Sequence, residues 1–188
     1  MGNVVYLLNV SLDGFVEDSA GALGWANVDH ELHTYFNERA RATGAFLYGR
    51  RMWELMSSAW PTADEQPGVT AAEAEFAAIW RPKPKVVFSR TLEEAEWNTR
   101  IIRADLPGAI AGLKAEFDGV LGVGGPGIAG SLMRLGLVDG WELVVHPVVL
   151  GGGKPFWPDG GPREQLALFE TRTFGSGAVL LRYGRRSG

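Results

Sequence analysis

The chain has 188 residues, 46% of them hydrophobic, with 18 lysines and arginines against 22 aspartates and glutamates, a formal net charge of −4. That is enough apolar content for one well-buried domain over residues 1–188, and the acidic balance removes a global attraction to nucleic acid or to an anionic membrane. With no cysteine, disulfides, thiolate zinc sites and a cysteine nucleophile are excluded together, and no apolar run approaches a membrane span.

Residues 3–10 form a continuous apolar run with β-branched content, the pattern of a strand buried on both faces. No basic region precedes it and no small-residue cleavage site follows, so no signal peptide and a cytoplasmic location are expected. Ser11-Leu12-Asp13-Gly14 closes the strand as a turn whose Ser and Asp can bond nearby backbone. Residues 15–27 read as a loop, with Gly21 and Gly24 ahead of Trp25, compatible with a lid. Asp29 fits the N-cap of a helix over 31–43, with Leu32, Tyr35, Phe36 and Ala40 at helical spacing and Gly44 at its end. A buried strand at 45–48 runs into Gly49-Arg50-Arg51 and a short helix over 52–58. After a loop at 60–68, the helix at 70–80 opens with Thr70 and Glu73 in capping-box spacing and is stopped by Pro82 and Pro84. A strand at 85–88 ends in Ser89-Arg90-Thr91. A brief strand at 99–103 and a helix at 106–117 follow.

Residues 120–134 run from an apolar strand through Gly122, Gly124, Gly125 and Gly127 into a helix with Pro126 at its first position. Such a turn aims free N–H groups and the positive end of a helix dipole at one spot, which suits a phosphate; an empty tight turn is the competing reading. Gly122-x-Gly124-x-x-Gly127 has the spacing of the dinucleotide fingerprint. The acid expected about 20 residues on, at the end of the next strand, to hold a ribose hydroxyl is missing. That next strand is expected at 141–150 and runs into Gly151-Gly152-Gly153-Lys154-Pro155-Phe156-Trp157-Pro158, a rigid loop. Strands at 166–173 and 178–184 form a hairpin, and residues 185–188 a frayed end.

Strands alternating with helices before a closing hairpin predict an α/β fold: a mostly parallel central sheet, helices on both faces and an antiparallel C-terminal hairpin. Four polar turns lie at strand ends, the rim where such sheets bind ligands. Two of them bring Arg50, Arg51 and Arg90, with hydroxyls from Ser89 and Thr91. Guanidinium groups match phosphate by bidentate donation, so the rim suggests a ligand with more than one phosphate; arginine with Ser or Thr favours NADP over NAD. Each arginine taken singly also reads as solvated surface charge.

Ser11-Leu12-Asp13-Gly14, Tyr48-Gly49-Arg50-Arg51-Met52-Trp53-Glu54, Val86-Val87-Phe88-Ser89-Arg90-Thr91 and Gly124-Gly125-Pro126-Gly127 come in the order of the dihydrofolate reductase fold, which the chain resembles over nearly its whole length. Leu150-Gly151-Gly152-Gly153-Lys154-Pro155-Phe156 and the Ser-Leu-Asp-Gly turn resemble one branch of it, the reductase domain of the riboflavin-pathway deaminase–reductase and its stand-alone relatives. The resemblance implies NADP(H) and a pterin- or aminouracil-like substrate, as for a 5-amino-6-(5-phosphoribosylamino)uracil reductase. It places Gly49, Arg50 and Arg51 on cofactor phosphates, Ser89 and Arg90 near the 2′-phosphate, and Gly124, Gly125, Gly127 and Ile128 on the diphosphate. Val10, Ser11 and Asp13 then lie at the nicotinamide end, while Trp25 and the helix at 29–36, with Phe36, line the substrate pocket. Dihydrofolate reductases carry a carboxylate early in that helix; Asp29 or Glu31 fits the position, Asp29 equally being a cap. Asp13 or water is the other proton source. The zinc deaminase half of the riboflavin-pathway enzyme is excluded, since no Cys-x-x-Cys is present.

Trp53, Trp80, Trp97 and Trp141 read as core or interface residues, whereas Trp25 and Trp157 sit in loops near the ligand edge. His146, inside a strand, reads as a satisfied buried histidine. His30 and His33 have no accompanying ligand set, so no metal is expected. The expected partners are a small-molecule substrate and a second copy of the chain in a homodimer, built on the strand at 141–149 and the hairpin. A nucleotide-binding module without turnover, or a purely structural dimerisation domain, are the alternatives.

Overall fold

The structure, a computed structural model, describes residues 1–186. Its strands and helices, in order, are β1 (Asn3–Ser11), β2 (Phe15–Glu17), α1 (His30–Ala42), β3 (Thr43–Gly49), α2 (Arg50–Ala59), α3 (Ala71–Trp80), β4 (Lys85–Phe88) and β5 (Thr99–Ile102). They continue as α4 (Leu106–Glu116), β6 (Val120–Gly124), α5 (Pro126–Arg134), β7 (Gly140–His146), β8 (Lys154–Pro155), β9 (Leu166–Thr173) and β10 (Val179–Arg185). One sheet runs β5-β4-β3-β6-β1-β7-β10-β9. Every neighbouring pair from β5 to β7 is parallel, and β10 is antiparallel to both β7 and β9.

Alternation along the strands sorts the core into two faces. Ala45, Leu47, Val4, Tyr6, Leu121 and Val123 pack with Ile110 and Leu113 of α4 and with Ala129 and Leu132 of α5. On the opposite face Tyr48 and Val87 pack with Trp53 and Trp80, and Val144 and Leu180 with Leu32 and Tyr35 of α1. The expected α/β arrangement is thus present, and β3, β6 and β1, adjacent and parallel, end on the same edge.

Several local expectations change. The segment at 15–27 is not all loop, because β2 pairs antiparallel with β8 from the glycine-rich loop. Gly153 makes that contact feasible: with φ at +135°, a Cβ there would lie 1.9 Å from the Glu17 carbonyl oxygen. The first helix ends at Ala42 with Thr43 as its cap, so Gly44 belongs to β3. Its lack of a side chain serves a close approach, since a Cβ would stand 2.9 Å from the Asp118 carbonyl. β7 stops at His146, short of residue 150, because Pro147 has no N–H to give the ladder. Arg185 and Arg186 are not frayed: Arg185 Nε donates to the Val138 carbonyl at 2.9 Å and the Arg186 N–H to that of Gln165 at 3.2 Å. The remainder of that expected frayed end, residues 187 and 188, lies outside the described residues. Trp53, Trp80 and Trp141 are buried as expected; Trp97 is not, standing 37% exposed on a left-handed backbone.

Candidate functional site

Helices α2 and α5 each begin where a strand ends, after β3 and β6, and these strands are parallel neighbours. Their N-termini therefore sit side by side. A helix start leaves its first N–H groups without intrahelical acceptors. In α1, α3 and α4 a side chain caps them: Asp29, Thr70 (with Glu73 in the expected capping box) and Asp105. In α2 and α5 the N-caps are Gly49 and Gly125, with no side-chain cap. Glycine is needed at 125, where φ is +100° and a Cβ would meet Met52 at 3.1 Å, whereas a Cβ on Gly49 would make only ordinary contact with Ile128 at 3.6 Å.

A groove of about 820 Å³ runs along these two turns, lined by Gly49, Arg50, Arg51, Gly125, Gly127 and Ile128 and walled by Glu17, Leu23 and Lys154. The two sets of unmet N–H groups, two dipole ends and three cations fit a ligand bearing a diphosphate. Gly127 has nothing within 4 Å of where a Cβ would be, so its backbone is open to the groove. Arg50 donates to Glu54 at 2.6 Å and to Thr91 Oγ1 at 3.0 Å, and Arg51 pairs with Glu17 at 2.9 Å.

Beyond Glu17, Leu23 and Pro126 the groove meets a small chamber of about 100 Å³, bordered by Asn9, Trp25 and Met52. Asn9 and Met52 also line a second cavity, about 420 Å³, between the sheet and α1, α2 and α3. Gly124, at the end of β6, forms part of its lining, and a Cβ there would lie 2.8 Å from the Tyr48 ring. Met52 alone borders groove, chamber and second cavity.

The other expected site residues are distributed differently. Phe36 lines the second cavity and Trp25 the chamber. Trp25 packs edge-on to His146, whose Nε2 is 2.9 Å from Asn9 Oδ1. An amide oxygen only accepts, so Nε2 carries the hydrogen, and burial pushes the His146 pKa down. The expectation of a satisfied histidine is half right, since Nδ1 has no partner. Val10 is buried in the core under the sheet. The Ser11 hydroxyl donates to Asp13 and accepts the Phe15 N–H. Asp13 is exposed and is engaged by Ser11 and by the N–H groups of Leu150 and Gly151, which hold its carboxyl below the usual range. It is a strut between loops, poorly suited to give up a proton. Asp29 caps α1, and Glu31 takes Arg172 and the Gly175 N–H, the pair clamping the helix start to the hairpin; neither is among the residues lining the groove, the chamber or the second cavity. The Ser89 Oγ accepts the Thr91 and Leu92 N–H groups, and Ser89 is outside the groove lining. Arg90 is exposed and outside the groove lining.

Glu17, Lys154, Asn9, His33, Trp60 and Phe76 line the site without having been singled out for it. Met52 stood inside a quoted motif. Glu17 and Lys154 meet only through the β2–β8 pairing, which no local pattern announces.

Residues 3–180 match the family model described as the RibD C-terminal domain. The chain is 33% identical over 181 residues to YyaP, an uncharacterised protein of Bacillus subtilis strain 168, spanning 96% of this chain and 93% of that one. Among solved structures it resembles a Shewanella sp. PV-4 protein named for riboflavin biosynthesis, with a TM-score of 0.74 at 22% identity over the whole of both chains. It also resembles a pyrimidine reductase-like protein of Corynebacterium diphtheriae, with a TM-score of 0.67 at 13% identity over 100% of this chain and 93% of that one. A third is the diaminohydroxyphosphoribosylaminopyrimidine deaminase/5-amino-6-(5-phosphoribosylamino)uracil reductase of Thermotoga maritima, with a TM-score of 0.68 at 16% identity over 98% of this chain and 57% of that one. These likenesses establish a shared fold, the dihydrofolate reductase-like α/β class that the motif order implied.

Proposed function

The chain belongs to the RibD C-terminal domain family, and on that premise we propose that it is an NADPH-dependent reductase of a small heterocyclic substrate of the pyrimidine or pterin kind. The observation that carries this reading is the pair of uncapped helix N-termini on one groove, which shares lining residues with a ring-sized chamber that in turn shares lining residues with a second cavity. The cofactor supplies the hydride when bound; the protein supplies binding, orientation and electrostatics.

The N–H groups opening α5 and α2 hold the diphosphate, and Arg51 and Lys154 offset its charge. Arg50 with Thr91 forms a basic, hydroxyl-bearing corner for a 2′-phosphate. Trp25, Met52 and Asn9 close the chamber, excluding water where the rings meet. Two structural neighbours support the reading, since a pyrimidine reductase-like protein and a deaminase/aminouracil reductase share the fold.

Calorimetric titration tests it. NADPH is expected to bind in the micromolar range and NADH about tenfold more weakly. Failure of both to bind below millimolar concentration overturns the reading. A nucleotide-binding module without turnover is the second reading, favoured by one observation: Asp29 and Glu31 are committed elsewhere. NADPH oxidation over a panel of pterins and aminouracils separates the two.

A further inference from the structure

Every charged group on the second cavity is already committed to a protein partner. Arg39 gives Nε and Nη2 to Glu142, a 2% exposed carboxylate that also takes Arg182 and the Tyr35 hydroxyl. Drawing Arg39 away would strip a buried charge of a partner, which is strongly unfavourable. Glu73 accepts the N–H and hydroxyl of Thr70 in its capping box. The Tyr48 hydroxyl accepts from Trp80 Nε1 at 3.2 Å, and its ring lies on the cavity wall. No uncommitted lysine or arginine remains among the described lining residues.

What faces the space is flat and apolar. Trp60 and Phe76 pack with centroids 4.4 Å apart, His33 stands edge-on to both, and Phe36, Phe46 and Met56 complete the walls. Two side-chain nitrogens bear on a ligand here. His33 Nδ1 is buried without a partner. The Asn9 amide, its oxygen held by His146, has no protein acceptor for Nδ2 among the described residues and lies at the passage to the chamber. A phosphate here would meet two carboxylates and, as its one lysine or arginine among the described lining residues, the ion-paired Arg39, at a large desolvation cost. An uncharged ring with one carbonyl edge would stack on the walls and accept from Asn9.

We propose that this cavity selects a neutral, unphosphorylated heteroaromatic substrate whose ring carbonyl accepts a hydrogen bond from Asn9 Nδ2. This rests on the reductase reading, and it separates the chain's substrate from the phosphoribosyl compound for which the Thermotoga maritima protein is named.

The test uses a matched pair, 1-(2-hydroxyethyl)quinoxalin-2-one and its phosphate monoester. Each is titrated calorimetrically into the whole chain, with and without saturating NADP⁺, beside a separate NADPH titration. The alcohol is expected to bind about tenfold or more tightly than the ester in both conditions. Trp60→Ala is expected to weaken the alcohol about tenfold with NADPH affinity unchanged, and Trp60→Phe to restore most of it. Equal or tighter binding of the ester overturns the proposal, as does failure of the alcohol to bind a chain that binds NADPH. If NADPH fails to bind while the alcohol still binds and the ester does not, the reductase reading falls and the cavity assignment stands. If neither NADPH nor the alcohol binds, both fall.

Discussion

Asp13 accepts the backbone N–H of Gly151 at 2.7 Å across 138 positions of sequence, joining the turn after β1 to the glycine-rich loop after β7. The Leu150 N–H reaches the same carboxylate at 3.1 Å. The loop held this way carries β8, whose pairing with β2 places Lys154 and Glu17 on the wall of the groove.

Asp13→Asn is therefore expected to loosen that wall, seen as faster amide exchange at Leu150 and Gly151 and a lower Tm at neutral pH. The Asp13 carboxyl is depressed by the Ser11 hydroxyl first, then by the Leu150 and Gly151 N–H groups. Its stabilisation is complete above the unfolded carboxylate value and is lost as pH falls through the lower folded one. The Tm gap between wild type and Asp13→Asn should hold above about pH 5 and narrow below about pH 4. A gap that widens on acidification would contradict the strut.

The resemblance offers both Arg50 and Arg90 to the cofactor, and of the two Arg50 lines the groove. Arg50→Ala is expected to weaken NADPH about threefold to tenfold, more than NADH, whereas Arg90→Ala changes either by less than about twofold. Calorimetry on both variants decides; a larger loss from Arg90 would reinstate it at the 2′-phosphate.

Glycines of the same turn should part ways. Gly127→Ala places a methyl group in open space within a helix, so it should raise stability by about 0.5–1 kcal/mol while weakening NADPH by crowding the phosphate seat. Gly125→Ala must hold φ near +100° and press on Met52, at a cost of about 1–3 kcal/mol. Thermal melts and NADPH titrations on both variants test the contrast, which fails if Gly127→Ala leaves affinity untouched.

Glu142→Gln keeps the shape of the residue and removes the charge that Arg39 and Arg182 share. Breaking such a buried pairing is expected to cost about 3 kcal/mol. It also releases Arg39 at the second cavity, so the quinoxalinone phosphate ester should bind more tightly to Glu142→Gln than to wild type, with the alcohol little changed. Unchanged ester affinity would show that Arg39 cannot be redirected into the cavity.

Much of the groove was legible because its signals are local. Glycine before Pro126 at a strand end, and Gly49 before two arginines, mark helix starts that lack side-chain caps whatever the rest of the chain does. Thr70 with Glu73 marked a capped start for the same reason. Residues 15–27 read as a loop because strand β2 is stabilised by a partner far along the chain. The carboxylates at 29 and 31 fitted a catalytic position by spacing, yet spacing does not say which side of a helix faces a cavity; the hairpin claims Glu31 through Arg172 and Gly175.

The sequence by itself determined the α/β alternation, the order of the phosphate-type turns and the capping of individual helices, because these depend on periodicity and on contacts within one turn of chain. Only the tertiary structure decided that Arg50 and Arg51 line the groove, that Asp13 is bonded to a distant loop, and that Glu142 pairs with Arg39. Those outcomes depend on burial and on partners about a hundred or more residues away, where desolvation and pairing energies outweigh any local preference.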